Sequence, residues 1–322
     1  MHEREAILKL WSESEKAALA TVVEVRGSAY RRPGARMLLT HEGRSAGVIN
    51  GGCLDADIHA RAQMVMEDGQ PQLAIYDTTS SEDIVFGLGL GCRGVVKILI
   101  EPISNLEFLQ DGATVEVRFE GEDCGTSLYS KEFTGRPQII ESGRNKAWVE
   151  TIEPALPLLV FGAGADVVPL AALGKILGWN VQIRDLRAPS PARQVMVEAS
   201  YLAPDSMLEK LQVPTGAACV IMTHNFLHDL ELLKVLLSSK ADYIGILGPR
   251  RRTVELLEKL GSDTLLPGMT PSEAQLEKLH GPIGLDLGAE TPEEIALSIV
   301  AEIQMVKRAK SGAKLREMKA IH

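Results

Sequence analysis

Two cysteines in the first third of the chain stand beside glycines, and these thiols give the clearest chemical signal in the sequence. Cys53 directly follows Gly51 and Gly52, and Cys92 lies within the glycine-rich run 87–94. Because glycine has no side chain and tolerates positive φ, a ligand can approach the backbone closely at such places. A thiolate is also a soft metal ligand and a nucleophile. The pattern predicts a ligand site at these thiols, where the flat face or the phosphate of a ligand can approach closely.

A second candidate site follows an apolar segment in the middle of the chain. Residues 158–161 are followed by Gly162 and Gly164, and Asp185 ends the next apolar segment. This arrangement matches the first part of a dinucleotide-binding fingerprint, in which a later acid contacts the ribose. The sequence therefore predicts a Rossmann-type turn with cofactor contacts at these two glycines and at Asp185.

Two residues after this turn argue against tight binding of NAD or NADP. Val167 stands where the fingerprint has a third small residue, and Asp166 places a carboxylate where a pyrophosphate would bind. We expect the Asp166 side chain to cap the following helix, which has Pro169 in its first turn. NAD(P) is therefore expected to bind weakly.

Later polar residues follow two further predicted strands. His224 comes at the end of segment 217–223, where open α/β sheets bind ligands, although it is equally consistent with a cap on the next helix. Arg250, Arg251 and Arg252 follow segment 243–247 and open a predicted helix. Cations are unfavourable at a helix N-terminus unless an anion compensates them, so we expect these arginines to bind an anion. Their removal should leave the thermal stability nearly unchanged.

The elements that position these residues divide into two halves. The proline-containing segment 153–157 separates them, so we expect domains at 1–154 and 155–322. The first half has helical spacing over 4–18 and about 55–66, with short strands between and after, which is typical of an α+β fold. The second half alternates strands with helices, including one near 192–198, and this alternation predicts a parallel sheet covered on both faces.

Composition limits the classes of partner. The chain of 322 residues has a formal net charge of −9, which argues against a nucleic-acid partner. No apolar run approaches the length of a membrane span, and the charged start predicts a cytoplasmic protein with free thiols.

Taken together and in chain order, several segments resemble the XdhC/CoxI family, the accessory proteins of xanthine dehydrogenase and related molybdenum hydroxylases. The segments cover nearly the whole chain and comprise residues 27–37, 51–55, 89–92, 161–164, 185–187, 223–224, 244–251 and 282–296. The resemblance implies an N-terminal α+β XdhC/CoxI domain followed by a C-terminal Rossmann-like parallel α/β domain.

The resemblance also implies a function. The protein is expected to bind molybdenum cofactor (molybdopterin) and to deliver it, sulfurated, to a xanthine dehydrogenase-like apoenzyme, without catalytic turnover of its own. A cysteine desulfurase is a further implied partner, and we expect a homo-oligomer. The expected cofactor-binding residues are Arg31, Arg32, Gly51, Gly52, Cys53, Asp55, Cys92, Gly162, Gly164, Asp185, His224, Arg250 and Arg251. Of these, Cys53 is the candidate contact to the metal or its exchanged sulfur.

Two other functions stay open from the residues alone. One is a nicotinamide-dependent oxidoreductase, which the Gly162 turn and Asp185 permit. The other is catalysis at the cofactor's sulfur by Cys53, for which Arg31 or Arg32 would have to favour the thiolate.

Overall fold

A computed structural model describes residues 3–77, 94–185, 199–201, 211–262 and 270–318. The chain forms two compact units, Met1–Pro154 and Ala155–His322. The predicted fold class is confirmed, since the first unit mixes helices with antiparallel strands and the second has a parallel sheet of Rossmann type. Within the described residues, no helix is long and apolar enough to span a membrane.

The described strands of the first unit form two antiparallel sheets. Their bounds are β1 (Ala17–Gly27), β2 (Arg36–Thr40), β3 (Ser45–Gly47), β4 (Gln72–Asp77), β5 (Gly94–Pro102), β6 (Thr114–Glu120), β7 (Gly125–Leu128), β8 (Gln138–Ser142) and β9 (Asn145–Thr151). One sheet has the order β3-β2-β1-β5-β4 and the other β7-β6-β9-β8. A short 3₁₀ helix, Glu107–Leu109, precedes β6.

The described part of this unit also contains the helices α1 (Glu3–Ser12) and α2 (Asp55–Asp68). The predicted second helix is confirmed; its buried residues Ile58, Ala62 and Val65 follow helical spacing and join the core with β1 and β5. The helix expected over 4–18 is wrong beyond Ser12. Ala17 and Ala18 are instead buried in β1 and pair with β2, because strand hydrogen bonds satisfy their backbone in the core.

The second unit alternates strands and helices. Its strands are β10 (Pro157–Phe161), β11 (Asn180–Asp185), β12 (Ala199–Tyr201), β13 (Ala218–Ile221), β14 (Tyr243–Ile246) and β15 (Leu279–His280). The helices among its described residues are α3 (Val167–Ile176), α4 (Phe226–Leu237), α5 (Arg250–Ser262), α6 (Glu273–Glu277) and α7 (Pro292–Lys307). A 3₁₀ turn, Leu315–Glu317, follows. The helix expected near 192–198 lies outside the described residues.

The parallel sheet has the order β12-β11-β10-β13-β14-β15. Helices α4 and α5 pack on one face, for example through Leu233 and Leu256, while α3 and α7 cover the other through Leu170 and Ile299. Because both faces are covered, the central strands are buried and continuously apolar. The strand order reverses between β10 and β13, so the crevice at their carboxyl ends is where open α/β folds bind ligands.

Candidate functional site

Cys53 lies in an exposed turn at the start of α2, and the buried side chain of Asn50 holds this turn in place. The Asn50 Oδ1 accepts hydrogen bonds from the backbone N–H of Gly52 at 2.6 Å and of Leu54 at 3.3 Å. Its Nδ2 donates to Oδ1 of Asp55 at 2.8 Å. The Cys53 Sγ lies 3.9 Å from the same Asn50 oxygen. Asn50 therefore fixes the backbone on both sides of the thiol.

The glycines of this turn serve different purposes. Gly52 has φ of 97°, a left-handed conformation that favours glycine. A Cβ on Gly51 would lie 3.7 Å from the ring of Tyr30, and 63% of this residue is exposed. An open aromatic ring and bare backbone thus lie side by side, which suits the flat face of a ligand.

The two arginines predicted for this site differ in their contacts. Arg31 donates to both oxygens of Glu3, at 3.0 and 2.8 Å, and Glu3 also accepts from the N–H of Val48 at 2.7 Å. Arg31 therefore joins α1 to the neighbouring loops. Arg32 is exposed and has no acidic partner among the described residues. Of the two, Arg32 has the guanidinium available for an anion.

The other cysteines have different environments. Burial raises the pKa of Cys219, in β13, to about 12, and it also raises the pKa of Cys124. Both are therefore poor thiolate candidates near neutral pH. Cys92 lies outside the described residues. Across the described part of the chain, no group of three or more His, Cys, Asp or Glu side chains could hold a metal ion.

A second group of predicted residues meets at the switch point of the parallel sheet. Gly162, after β10, has φ of 129°, and a Cβ there would collide with the carbonyl oxygen of Met222. His224, after β13, places its Nε2 2.8 Å from Oδ2 of Asp166. The structure thus brings the β10 turn and His224 together, as the topology requires.

The capping expectation for Asp166 is wrong, and of the two alternatives left open for His224 the helix cap is excluded. Asp166 occupies the N-cap position of α3, but its side chain makes no capping hydrogen bond and is directed to His224 instead. His224 does not cap α4; Asn225 does, by accepting from the N–H groups of Leu227 and His228. For Asp166, the contact with His224, 58 residues later, has replaced the expected hydrogen bond to the backbone of α3.

Asp185 ends β11, as predicted, and its side chain is buried, with 1% of the residue exposed. A ribose contact requires an accessible carboxylate, so this burial does not favour the predicted role.

The three consecutive arginines have three separate environments. Arg250 is exposed and has no partner among the described residues, whereas Arg251 pairs with Glu255 on its own helix at 2.6 Å. Arg252 donates through Nε and Nη2 to Oδ2 of Asp229, at 3.0 and 2.7 Å. Asp229 is 1% exposed, so Arg252 pairs with a buried carboxylate, and this burial argues against the expectation that it contributes little to stability.

Sequence reasoning missed Asp229, which organises the loop around His224. Its other oxygen accepts from the hydroxyl of Thr223, whose Oγ1 also accepts from the N–H of Asn225 at 3.1 Å. A signal was present in the sequence, since Asp229 falls on the apolar face of α4, four residues before the buried Leu233. A charged residue on such a face indicates a buried partner.

Comparisons with known proteins cover both units. Residues 10–77 match the XdhC and CoxI family, and residues 158–303 match the XdhC Rossmann domain. A Bacillus subtilis protein, named as a probable subunit of xanthine dehydrogenase, is 32% identical over 93% of this chain and 96% of its own length.

Two further relatives extend this comparison. The molybdenum cofactor insertion chaperone PaoD of Escherichia coli is 24% identical over 90% of this chain and 83% of its own. A crystal structure from Bacillus halodurans, described as a xanthine dehydrogenase, is similar with a TM-score of 0.76 and 29% identity over 100% of this chain and 99% of that one. The resemblance inferred from the motifs is confirmed: the chain belongs to the XdhC and CoxI family.

Proposed function

We propose that this protein is a maturation factor that binds molybdenum cofactor as cargo and delivers it, in sulfurated form, to a xanthine dehydrogenase-like apoenzyme. The observation that carries this proposal is the exposed thiol of Cys53 in a glycine turn fixed by Asn50. The relatives support it, because one is named as part of a xanthine dehydrogenase and another for insertion of the molybdenum cofactor.

The chemistry of the turn suits the parts of this cargo. The pterin ring is flat, and the exposed ring of Tyr30 beside Gly51 offers it a stacking surface. The thiolate of Cys53 is a soft ligand for molybdenum or for its exchangeable sulfur. The terminal phosphate needs a cationic donor, and Arg32 is exposed and unpaired within the described structure.

The openness of this turn suits delivery. Tyr30 and Cys53 are both exposed, so a partner protein can reach a cargo held there. The proposed partners are the apo-hydroxylase, which receives the cofactor, and a cysteine desulfurase, which supplies sulfur. A homo-oligomer is also proposed.

The test compares two cysteine variants of the full chain. Cys53→Ser should keep the fold, as judged by circular dichroism, but lose retention of molybdopterin and activation of an apo-hydroxylase. Cys124→Ser is the matched control in the same unit and should keep both. If Cys53→Ser activates the apoenzyme as well as the unsubstituted protein does, Cys53 is only a small residue in a tight turn and the proposal is wrong.

A second comparison tests the phosphate contact. Arg32→Ala should weaken cofactor binding by about 1.5–3 kcal/mol, the usual loss for one charged hydrogen bond. Arg144→Ala removes another exposed arginine, in the turn between β8 and β9, and should leave the affinity unchanged. Equal affinities for both variants would exclude Arg32 from the site.

A nicotinamide-dependent oxidoreductase is the alternative function, favoured by the strand order of the parallel sheet. It requires stoichiometric, tight binding of NADH to the unsubstituted protein. The carboxylate of Asp166, next to Gly164 in the β10 turn, opposes this binding.

A further inference from the structure

The Rossmann-type turn of this protein contains a carboxylate of its own where the fold usually receives a phosphate. A Cβ on Gly164 would collide with Oδ1 of Asp166 and would lie 3.9 Å from Nε2 of His224. In dinucleotide-binding turns, the second glycine lacks a side chain so that the backbone can approach the pyrophosphate. Here the Asp166 side chain fills the space next to that glycine.

The position of Asp166 is held from the opposite side of the crevice. Its side chain is 20% exposed, and its Oδ2 meets the imidazole of His224 at 2.8 Å. His224 has φ of 56°, a left-handed conformation that is costly for a residue with a side chain. Such a conformation persists only where its surroundings enforce it.

The surroundings of His224 do enforce it. On one side Thr223 is bound to the buried Asp229, and on the other Asn225 is fixed as the cap of α4. Arg252 in turn holds Asp229 through two hydrogen bonds. The imidazole is therefore presented to Asp166 by a buried network.

We infer that Asp166, held by His224, is a specificity-determining residue that excludes diphosphate groups from this turn. A diphosphate approaching Gly164 would meet both the volume and the negative charge of the carboxylate, and like charges repel more strongly where protein replaces water. The carboxylate itself also satisfies the preference of a helix N-terminus for negative charge. Any ligand that enters this crevice is therefore expected to carry no diphosphate next to Gly164.

The test uses the full chain with Asp166→Ala and Asp166→Asn, titrated calorimetrically with ADP, NADH and AMP. Both variants should bind ADP and NADH more tightly than the unsubstituted protein, by roughly tenfold, while the affinity for AMP changes little. Asn keeps the shape and removes the charge, so a gain confined to Ala would assign the exclusion to volume, and a gain in both would assign it to charge.

The matched control is Asp242→Asn. Asp242 is likewise a carboxylate with a side-chain partner, Lys307 at 2.7 Å, but it lies at the amino end of β14 and not at the carboxyl ends of the strands. The inference is overturned if neither Asp166 variant gains affinity while folded, if AMP gains as much as ADP, or if Asp242→Asn gains equally. It concerns the second unit alone, so its failure leaves cofactor binding at Cys53 unaffected.

Discussion

Replacing Arg252 with alanine should destabilise the second unit far more than replacing its neighbour Arg251. The side chain of Asp229 is 2% exposed and is bound by two guanidinium hydrogen bonds from Arg252. Without Arg252, a buried carboxylate would lose its compensating charge. Arg251 is 87% exposed and pairs with Glu255 on the same helix, so solvent screens that pair.

The magnitude follows from this burial. Removing one partner of a buried ion pair costs about 3–5 kcal/mol. The Arg252 side chain is 25% exposed, so water that replaces it can partly solvate the carboxylate of Asp229. We therefore expect a loss at the lower end of this range, about 3 kcal/mol. That is a large fraction of the roughly 5–15 kcal/mol by which a typical domain is stable.

Equilibrium urea unfolding, read by hydrogen exchange in peptides from the second unit, measures this loss separately from the first unit. Asp229→Asn in the Arg252→Ala background removes the uncompensated charge and should recover part of the stability. The reasoning is refuted if Arg252→Ala is no less stable than Arg251→Ala, or if the added Asp229→Asn brings no recovery.

Three further predictions concern other positions. Asn50→Asp would set two carboxylate oxygens 2.8 Å apart, so the turn should rearrange and Cys53 should react with thiol reagents at an altered rate. Adding Asp55→Asn should restore that rate, because the hydrogen bond then forms again with donor and acceptor reversed. Gly162→Ala should lower the free energy of unfolding by about 1–3 kcal/mol or more, because φ is 129° and a backbone carbonyl blocks the Cβ. Gly261→Ala, in the exposed part of α5, should instead raise it by about 0.4–1 kcal/mol; thermal unfolding measures both. Burial alone would raise the pKa of Glu302, but hydrogen bonds from a histidine, a tyrosine and a backbone N–H outweigh burial and lower it. Glu302 should therefore stabilise the fold at pH values above its unfolded pKa of 4.5, and this contribution should disappear as pH falls through the lower folded pKa. Glu302→Gln should flatten this part of the pH–stability profile. An unchanged profile would contradict a stabilising role for the Glu302 carboxylate.

The sequence predicted the features that depend on local pattern. Helix α2, the buried strand 158–161 and the turn at Gly162 follow from spacing and from the conformational freedom of glycine, which act within a few residues. The position of His224 at a strand end was likewise predictable from topology.

The contacts that the sequence missed join residues distant in the chain. Local rules favoured Asp166 as a helix cap, but pairing with His224, 58 residues away, replaced that role. Arg252 looked like part of an anion site because the apolar face of α4 indicates a buried Asp229 but does not identify Arg252, 23 residues later, as its partner. Propensity and capping rules contain no information about such partners.

In each unit, the exposed group of interest is placed by a buried polar side chain behind it. Asn50 fixes the turn that presents Cys53, and Asp229 fixes the loop that presents His224. A buried polar group with all its partners present rigidifies its surroundings, but it is costly when one partner is lost. The availability of an exposed side chain therefore depends on these hidden contacts more than on its type. Three arginines in a row show this, because only Arg250 lacks a partner within the described structure and so remains available for a ligand.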